Sequence, residues 1–195
     1  GKDLGIFASD AILSDMTLLG VGGITSAGSN TTLGRIGTGY IYADWKPQIA
    51  YTTPNFNGFQ ATVGISQAWN QASVGTSGIA TTTRGNASPA YEGKASYSFS
   101  ANDVNGKVWV SAIGQKTGAI AGYTLDDKSA YAVDIGANVN FAGFGLTGYY
   151  YDGEGMGTTG QFNGGLAKSG TTVYNRDSNG GYVQATYVLP TKTKI

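Results

Sequence analysis

The stretch Ser129–Phe141, SAYAVDIGANVNF, alternates between apolar and polar residues at almost every position. Successive side chains of an extended strand point to opposite faces, so Val133 and Ile135 share one face while Asp134 lies on the other. A strand of this length exceeds the usual soluble strand of about 5–6 residues. It suits a tilted membrane strand, in which ~9–11 residues cross the bilayer. The segment therefore predicts one lipid-facing side and one wet side.

The composition favours strands and turns and excludes several classes of protein. Charged residues make up only 12% of the 195-residue chain, whereas glycine occurs 32 times and tyrosine 13 times. The net charge is zero, so the chain has no basic footprint for nucleic acid, and no nucleic-acid partner is expected. No stretch of ~18 apolar residues is present, which excludes a helical membrane protein.

The chain contains neither cysteine nor histidine. Disulfide scaffolds, Cys/His zinc sites, thiol nucleophiles and histidine-based triads are therefore excluded. Without histidine no nucleophile–base pair is visible, so an enzyme is the least favoured class. No cofactor and no metal site are expected.

One helix is predicted near the start of the chain, from Ser9 to Leu19. Ser9 is a good N-cap, Asp10 follows in the first turn, and apolar residues recur at helical spacing up to Leu19. The Gly/Ser/Thr-rich residues 20–34 then predict an irregular loop.

The rest of the chain predicts seven strands with alternating faces, joined by connections of two lengths. The strands fall at 41–51, 59–66, 91–99, 107–115, 129–141, 144–150 and 182–189. Short connections lie near 54–58, 101–106, 142–143 and 190–194, and long ones near 68–89, 116–128 and 152–179. In an up-and-down barrel every second connection lies on the same side, so turns and loops would be sorted as in outer-membrane barrels. Aromatic residues at the strand ends suit the interfacial girdles of such barrels.

Three motifs resemble the Gram-negative general diffusion porins. They are the opening GKDLGIFASDAILSDMTLLGVG at 1–22, GRIG at 34–37 and PNFNGF at 54–59. The resemblance implies an all-β, transmembrane antiparallel barrel of sixteen strands with a short helix in an inward-folded constriction loop. Residues 1–195 would be the central portion of one barrel domain, with 1–34 as the constriction loop and 35–195 as about seven strands. We therefore expect the chain to be a segment of something larger.

The resemblance also implies where the protein acts and with what. It predicts the cell outer membrane of Gram-negative bacteria, contact with membrane lipid and lipopolysaccharide, and a homotrimer. Ions and small hydrophilic solutes would cross by passive diffusion.

The candidate site residues are charges on the wet face and in the helix. The strand registers place six on the wall: Asp44, Lys46, Glu92, Lys94, Lys107 and Asp134. Asp15 is expected to face the pore or a wall cation, whereas Asp10 suits a helix N-terminal charge equally well. Arg35, where the loop returns to the wall, would be a pore-lining cation or a structural anchor.

Two alternatives to a diffusion pore remain open at this point. A soluble β-rich binding module, such as a carbohydrate-binding sandwich, would need polar outer faces on its strands. A non-conducting barrel could serve as an adhesin or a structural anchor, although the inward-folding helix disfavours it.

Overall fold

One large antiparallel sheet organises the chain. The computed structural model describes residues 1–19, 32–73, 88–127 and 129–195. Its elements in chain order are β1 (Lys2–Leu4), α1 (Ser9–Ser14), a 3₁₀ turn (Met16–Leu19), β2 (Trp45–Thr52), β3 (Phe59–Ser66), β4 (Ala72–Ser73), β5 (Ala90–Ala101), β6 (Val104–Lys116), β7 (Thr124–Leu125), β8 (Ser129–Phe141), β9 (Phe144–Glu154), β10 (Asn163–Ser169), β11 (Thr172–Asn175) and β12 (Asp177–Tyr187).

The main sheet has eight strands in the order β1-β2-β3-β5-β6-β8-β9-β12. Every neighbouring pair is antiparallel, and the register between β6 and β8 runs unbroken from Val104–Phe141 to Lys116–Ser129. The predicted strand at 129–141 is confirmed as β8, with its apolar residues on one face and Asp134 on the other. The short connections predicted near 101–106 and 142–143 are also confirmed, as tight turns at 102–103 and 142–143 with Asn102 and Ala142 in the left-handed region.

The strand count and the start of β2 differ from the prediction. Lys2–Leu4 pairs with β2 and adds an edge strand, where a constriction loop from residue 1 was expected. The predicted strand from residue 41 begins only at Trp45, because Asp44 has a left-handed backbone (φ 60°) that interrupts the alternation of faces. Ile41 and Ala43 are consequently buried inside the fold instead of facing outward.

The single helix predicted from Ser9 to Leu19 is wrong in its length and its cap. α1 ends at Ser14, and a separate 3₁₀ turn follows after an extended Asp15. The N-cap is Ala8, which makes no side-chain cap hydrogen bond, and Ser9 Oγ instead donates to the Ile6 carbonyl.

The long connections all leave the same end of the main sheet, and their short strands form a second sheet. Its order is β4-β10-β11-β7, and it includes two parallel pairs. The region 152–179, predicted as a loop, thus contains the β10–β11 hairpin. Leu166 and Val173 form a small core there with Ile120, Tyr123 and Leu125. The predicted loops at 20–34 and 68–89 lie largely outside the described residues.

The two faces of the main sheet have opposite chemistry. The outer face exposes large apolar side chains, among them Ile49 (74%), Ile135 (58%) and Val183 (84%). The ten-residue separation of Tyr131 and Phe141 corresponds to about 33 Å of strand, or about 25 Å of height at a tilt of ~40°. That height matches the apolar band of ~25 Å on membrane strands.

Aromatic rings gather on this face near the turns. Phe144 lies between Phe141 and Tyr187, with ring centroids 5.9 and 4.6 Å away, and Tyr97 stacks on Phe99. None of the helices in the described ranges has the length and apolar character needed to traverse a membrane.

The two faces predict opposite tolerance for a new charge. Ile135→Lys places an ammonium on the apolar face and is expected to lower the free energy of unfolding in lipid vesicles by about 2–4 kcal/mol. Asn138→Lys, on the polar face of the same strand, is the matched control and should change it far less. Equal losses in the two variants, measured by denaturant titration, would contradict the assignment of faces.

Candidate functional site

Residues 5–19, here called the constriction segment, cross the polar face of the sheet. The crossing starts at Gly5, whose N–H donates to the Asp44 carbonyl at 2.8 Å. A Cβ at Gly5 would lie 2.2 Å from the Ala43 carbonyl oxygen, so only glycine fits this close approach. From there the chain turns into α1 and lies against the wall formed by β5, β6, β8, β9 and β12.

Glu92 on β5 holds the entry of the constriction segment. Its Oε2 accepts the backbone N–H groups of Ile6 (2.8 Å) and Phe7 (3.0 Å). Its Oε1 accepts Ser66 Oγ (2.8 Å) and pairs with the buried ammonium of Lys46. A buried carboxylate needs such partners, since an unpaired one costs several kcal/mol. Glu92 therefore joins β2, β3 and the constriction segment at one point.

Asp134 on β8 forms a second anchor, and no cation of the described residues pairs with it. Its Oδ2 accepts the backbone N–H of Ala8 (3.1 Å) and the hydroxyl of Tyr149 (3.0 Å). Asp134 is only 5% exposed, so the carboxylate lies beneath the segment and away from open solvent. Three consecutive backbone donors, at residues 6 to 8 just before α1, are thus satisfied by two wall carboxylates.

Asp10 lies between two lysines of the wall. Its carboxylate pairs with Lys94 of β5 at 2.7 Å and with Lys107 of β6. Burial alone would raise the pKa of Asp10, but the hydrogen bonds and the attraction from Lys107 and Lys94 outweigh it and hold the pKa below its ordinary value. Lys94 Nζ also donates to Ser9 Oγ at 2.9 Å. The ion pairs therefore fix the first turn of α1.

Asp15 joins the constriction segment to the later residues Arg35 and Tyr40, where the chain returns to the wall. Its Oδ2 accepts the backbone N–H of Arg35 (2.7 Å) and the hydroxyl of Tyr40 (2.9 Å), while Oδ1 accepts the Thr17 N–H (2.9 Å). Burial would raise the pKa of this carboxyl, but the hydrogen bonds from Thr17, Arg35 and Tyr40 lower it. Burial raises the pKa of Tyr40, so the phenol remains a donor.

An apolar cluster completes the docking of the segment. Tyr182 OH donates to the Ala11 carbonyl at 2.9 Å, and the Tyr40 ring meets Tyr149 and Tyr182 at 6.3 and 5.8 Å. The buried members of the cluster are Phe7, Ala8, Ala11, Tyr40, Ile41, Ala43, Trp109, Ile113, Ala130, Ala132, Tyr149, Tyr151, Met156, Phe162 and Tyr182. The Trp109 ring covers Gly136, where a Cβ would lie 2.2 Å from it.

The predicted charged residues do not all lie where the sequence indicated. Five of the six wall charges lie on the sheet face that the segment covers: Lys46, Glu92, Lys94, Lys107 and Asp134. Asp44 is the exception and a correction, because its left-handed backbone places it before β2 and off the strand. Asp10, and not Asp15, meets the wall cations. Whether these residues line a pore stays a prediction.

The sequence alone did not indicate several residues of the site. Gln184 accepts the Met16 N–H (2.8 Å) and donates to the Ser14 carbonyl (2.9 Å), so it holds the end of α1. Tyr149 and Ser66 are equally involved. One signal was visible: Trp109 and Ile113 interrupt the polar face of β6, and both lie under the segment.

The uncovered side of the site is partly cationic and partly apolar. The side chain of Lys107 is 35% exposed and that of Lys94 20%, and Arg35 is exposed. On the constriction segment Leu13 and Leu19 are 75% and 82% exposed. The wall acids Glu92 and Asp134 are buried, so the more accessible charges beside Asp10 are those of Lys94 and Lys107.

An antiparallel sheet with an apolar outer face, and a segment anchored across its polar face, define an outer-membrane protein of the porin type. The chain belongs to the Gram-negative porin family, whose model matches residues 1–195, the whole chain. This family consists of channels of the outer membrane and is not an enzyme family. No curated protein and no solved structure matches the chain.

Glu92 is expected to be the most sensitive anchor. Glu92→Gln leaves the buried Lys46 without its partner, which typically costs about 3–5 kcal/mol. Lys46→Met combined with Glu92→Gln removes both charges and keeps an amide oxygen that can accept the Ile6 and Phe7 N–H groups, so it should cost less than Glu92→Gln alone. Asp103→Asn, in an exposed turn, is the control and should stay within about 0.5 kcal/mol. Denaturation in lipid vesicles measures all three, and a double variant less stable than Glu92→Gln would contradict a buried-pair role.

We expect the ion pairs of Asp10 to stabilise the fold near neutral pH and to be lost in acid. Its pKa lies below 3.8 in the fold, so its contribution is present above that pH and disappears as the pH falls through the lowered value. Wild type should exceed Asp10→Asn in unfolding free energy at pH 7, and the difference should vanish in stronger acid, once Asp10 is protonated. Asp15 titrates similarly in both proteins, so the difference isolates Asp10. A difference independent of pH would contradict this role.

Proposed function

We propose that this protein forms a water-filled channel through which ions and small hydrophilic solutes cross the outer membrane by passive diffusion. The observation that carries the proposal is the anchoring of a helix-bearing segment to buried acids on the polar face of an otherwise outward-apolar sheet. A sheet that is apolar outside and polar inside suits lipid on one side and water on the other. The segment then narrows the wet side.

We further propose that the eight-stranded sheet is part of a closed barrel, sixteen-stranded by the family resemblance, and that residues 1–195 form its central portion. β1 and β12 each have a single neighbouring strand in the sheet within the described residues, although Tyr187 at the end of β12 also pairs with Ile195. Open edges are not tolerated in lipid, because their backbone groups would remain unsatisfied. A homotrimer and contact with lipopolysaccharide are proposed on the same resemblance.

Lys94, Lys107 and Arg35 are proposed as the charges that permeating ions meet. Asp10 pairs with both Lys94 and Lys107. These three residues together therefore carry one net positive charge. Fixed charges at a narrowing bias the ions that pass. Anions should be favoured at this part of the wall.

The alternatives are weakened by the same features. A soluble binding module would not expose large apolar side chains over one whole face of its sheet. A non-conducting barrel has no evident need for a segment that crosses the polar face, and the conductance measurement below decides the point.

Stepwise conductance in planar lipid bilayers is the direct test of a channel. The whole protein, folded and purified from outer membranes, should insert as discrete conducting units with reproducible step size. Folded protein that inserts without current steps would contradict the channel and favour a structural or adhesive barrel.

Reversing the charge of Lys107 should shift the ion selectivity of the channel. Lys107→Glu replaces a partly exposed cation beside Asp10 with an anion, so the reversal potential in a salt gradient should move toward cation preference. Lys116→Glu, at the exposed end of the same strand and in the outward register, is the matched control. Equal reversal potentials for Lys107→Glu and wild type would remove Lys107 from the permeation path.

A further inference from the structure

We infer that residues 155–162, between β9 and β10, form a second inward-folded element that clamps the return of the constriction segment and thereby fixes the width of the opening. We call residues 155–162 the clamp and residues 36–44 the return arm. The inference rests on the proposed channel function but concerns a separate part of the chain. It makes one of the long connections a determinant of the constriction.

Burial shows that the clamp points into the fold. A connection at the end of a sheet ordinarily runs over the surface and is solvated. Met156, Gln161 and Phe162 are instead fully buried, and Met156 and Phe162 belong to the same apolar cluster as Phe7 and Ile41. The clamp therefore shares its core with the constriction segment.

Main-chain contacts join the clamp to the return arm. The N–H of Tyr42 donates to the Thr159 carbonyl at 2.9 Å, and Tyr42 forms a parallel bridge with Gly160. A Cβ at Gly37 would lie 2.8 Å from the Thr159 hydroxyl, so the side chain of Thr159 packs against the backbone of the return arm at Gly37. These contacts fix the height of the return arm against the clamp.

Gln161 connects the clamp to the principal anchor of the site. Its Nε2 donates to the Ala43 carbonyl at 2.9 Å, and its Oε1 accepts Lys46 Nζ at 3.1 Å. Lys46 is also the partner of Glu92, which holds the entry of the constriction segment. One buried amide thus links the entry and the return of the segment, and removing a buried hydrogen-bonding group leaves its partners unsatisfied.

The clamp is itself held from behind. Ser178 of β12 donates to the Gly157 carbonyl at 3.1 Å, and the Gly155 N–H donates to the Arg176 carbonyl at 2.9 Å. The packing leaves no room, since a Cβ at Gly157 would lie 1.9 Å from the Asn163 carbonyl oxygen. A rigid support of this kind allows the clamp to position the return arm and not merely to touch it.

Gln161→Ala tests the clamp at its centre. The loss of two hydrogen bonds should loosen the return arm, which shifts the single-channel conductance to a larger value and increases open-channel noise. Gln60→Ala is the matched control, because Gln60 bonds the Thr53 carbonyl at the opposite, turn-bearing end of the sheet. Conductance and noise of Gln161→Ala equal to those of Gln60→Ala would overturn the inference.

A disulfide staple tests the same contact independently. The chain has no cysteine, so Tyr42→Cys with Gly160→Cys introduces a single pair at a bridged position, within the Cα separation that a disulfide accepts. The oxidised pair should form in high yield, keep the wild-type conductance and, added to Gln161→Ala, return its conductance to the wild-type value. A staple that does not form, or that does not reverse the effect of Gln161→Ala, would overturn the clamp.

The two levels of the proposal fail in different ways. Absence of current steps from wild type would contradict the channel, while thiol titration of the cysteine pair would still measure whether the clamp is docked. Current steps from wild type, together with an unaltered Gln161→Ala or an unformed staple, would contradict the clamp alone.

Discussion

The burial of carboxylates on the polar face of the sheet is the constraint from which the rest of the site follows. Glu92 and Asp134 are almost inaccessible, and a buried carboxylate must be supplied with donors. The constriction segment supplies them through the backbone N–H groups of residues 6 to 8, and Lys46 supplies the charge for Glu92. Segment and wall therefore satisfy each other's buried polar groups.

The same constraint separates charges that are structural from charges that meet solvent. Lys46 and Glu92 neutralise each other in the interior. The carboxylate of Asp15 accepts hydrogen bonds from the residues that follow the constriction segment. Asp10 offsets the charge of one of the two partly exposed lysines, Lys94 and Lys107. A chain with no net charge can thus present a local positive charge at this site. The acidic side chains of the site are buried more completely than Lys94 and Lys107.

Much of the fold followed from periodicity, and much of the site did not. The alternation at 129–141 and the sorting of short turns from long connections both reappear in the main sheet. The local pattern failed at Asp44, where one left-handed residue ended the alternation, and at Ser9, where a good capping residue became the first residue of α1 and its hydroxyl bonded the Ile6 carbonyl. Trp109 and Ile113 broke the polar face of β6 in the sequence, and only docking of the segment explains that break.

The sequence by itself determined the class of the protein, because strand alternation, turn chemistry and composition are local properties that lipid and water select directly. Only the tertiary structure decided which charge meets which, since the pairing of Asp10 with Lys107 joins residues far apart in the chain. It also decided that residues 155–162 fold inward onto the return arm. Glycine-rich connections carry no periodic signal, and their course depends on packing that exists only once the sheet has formed.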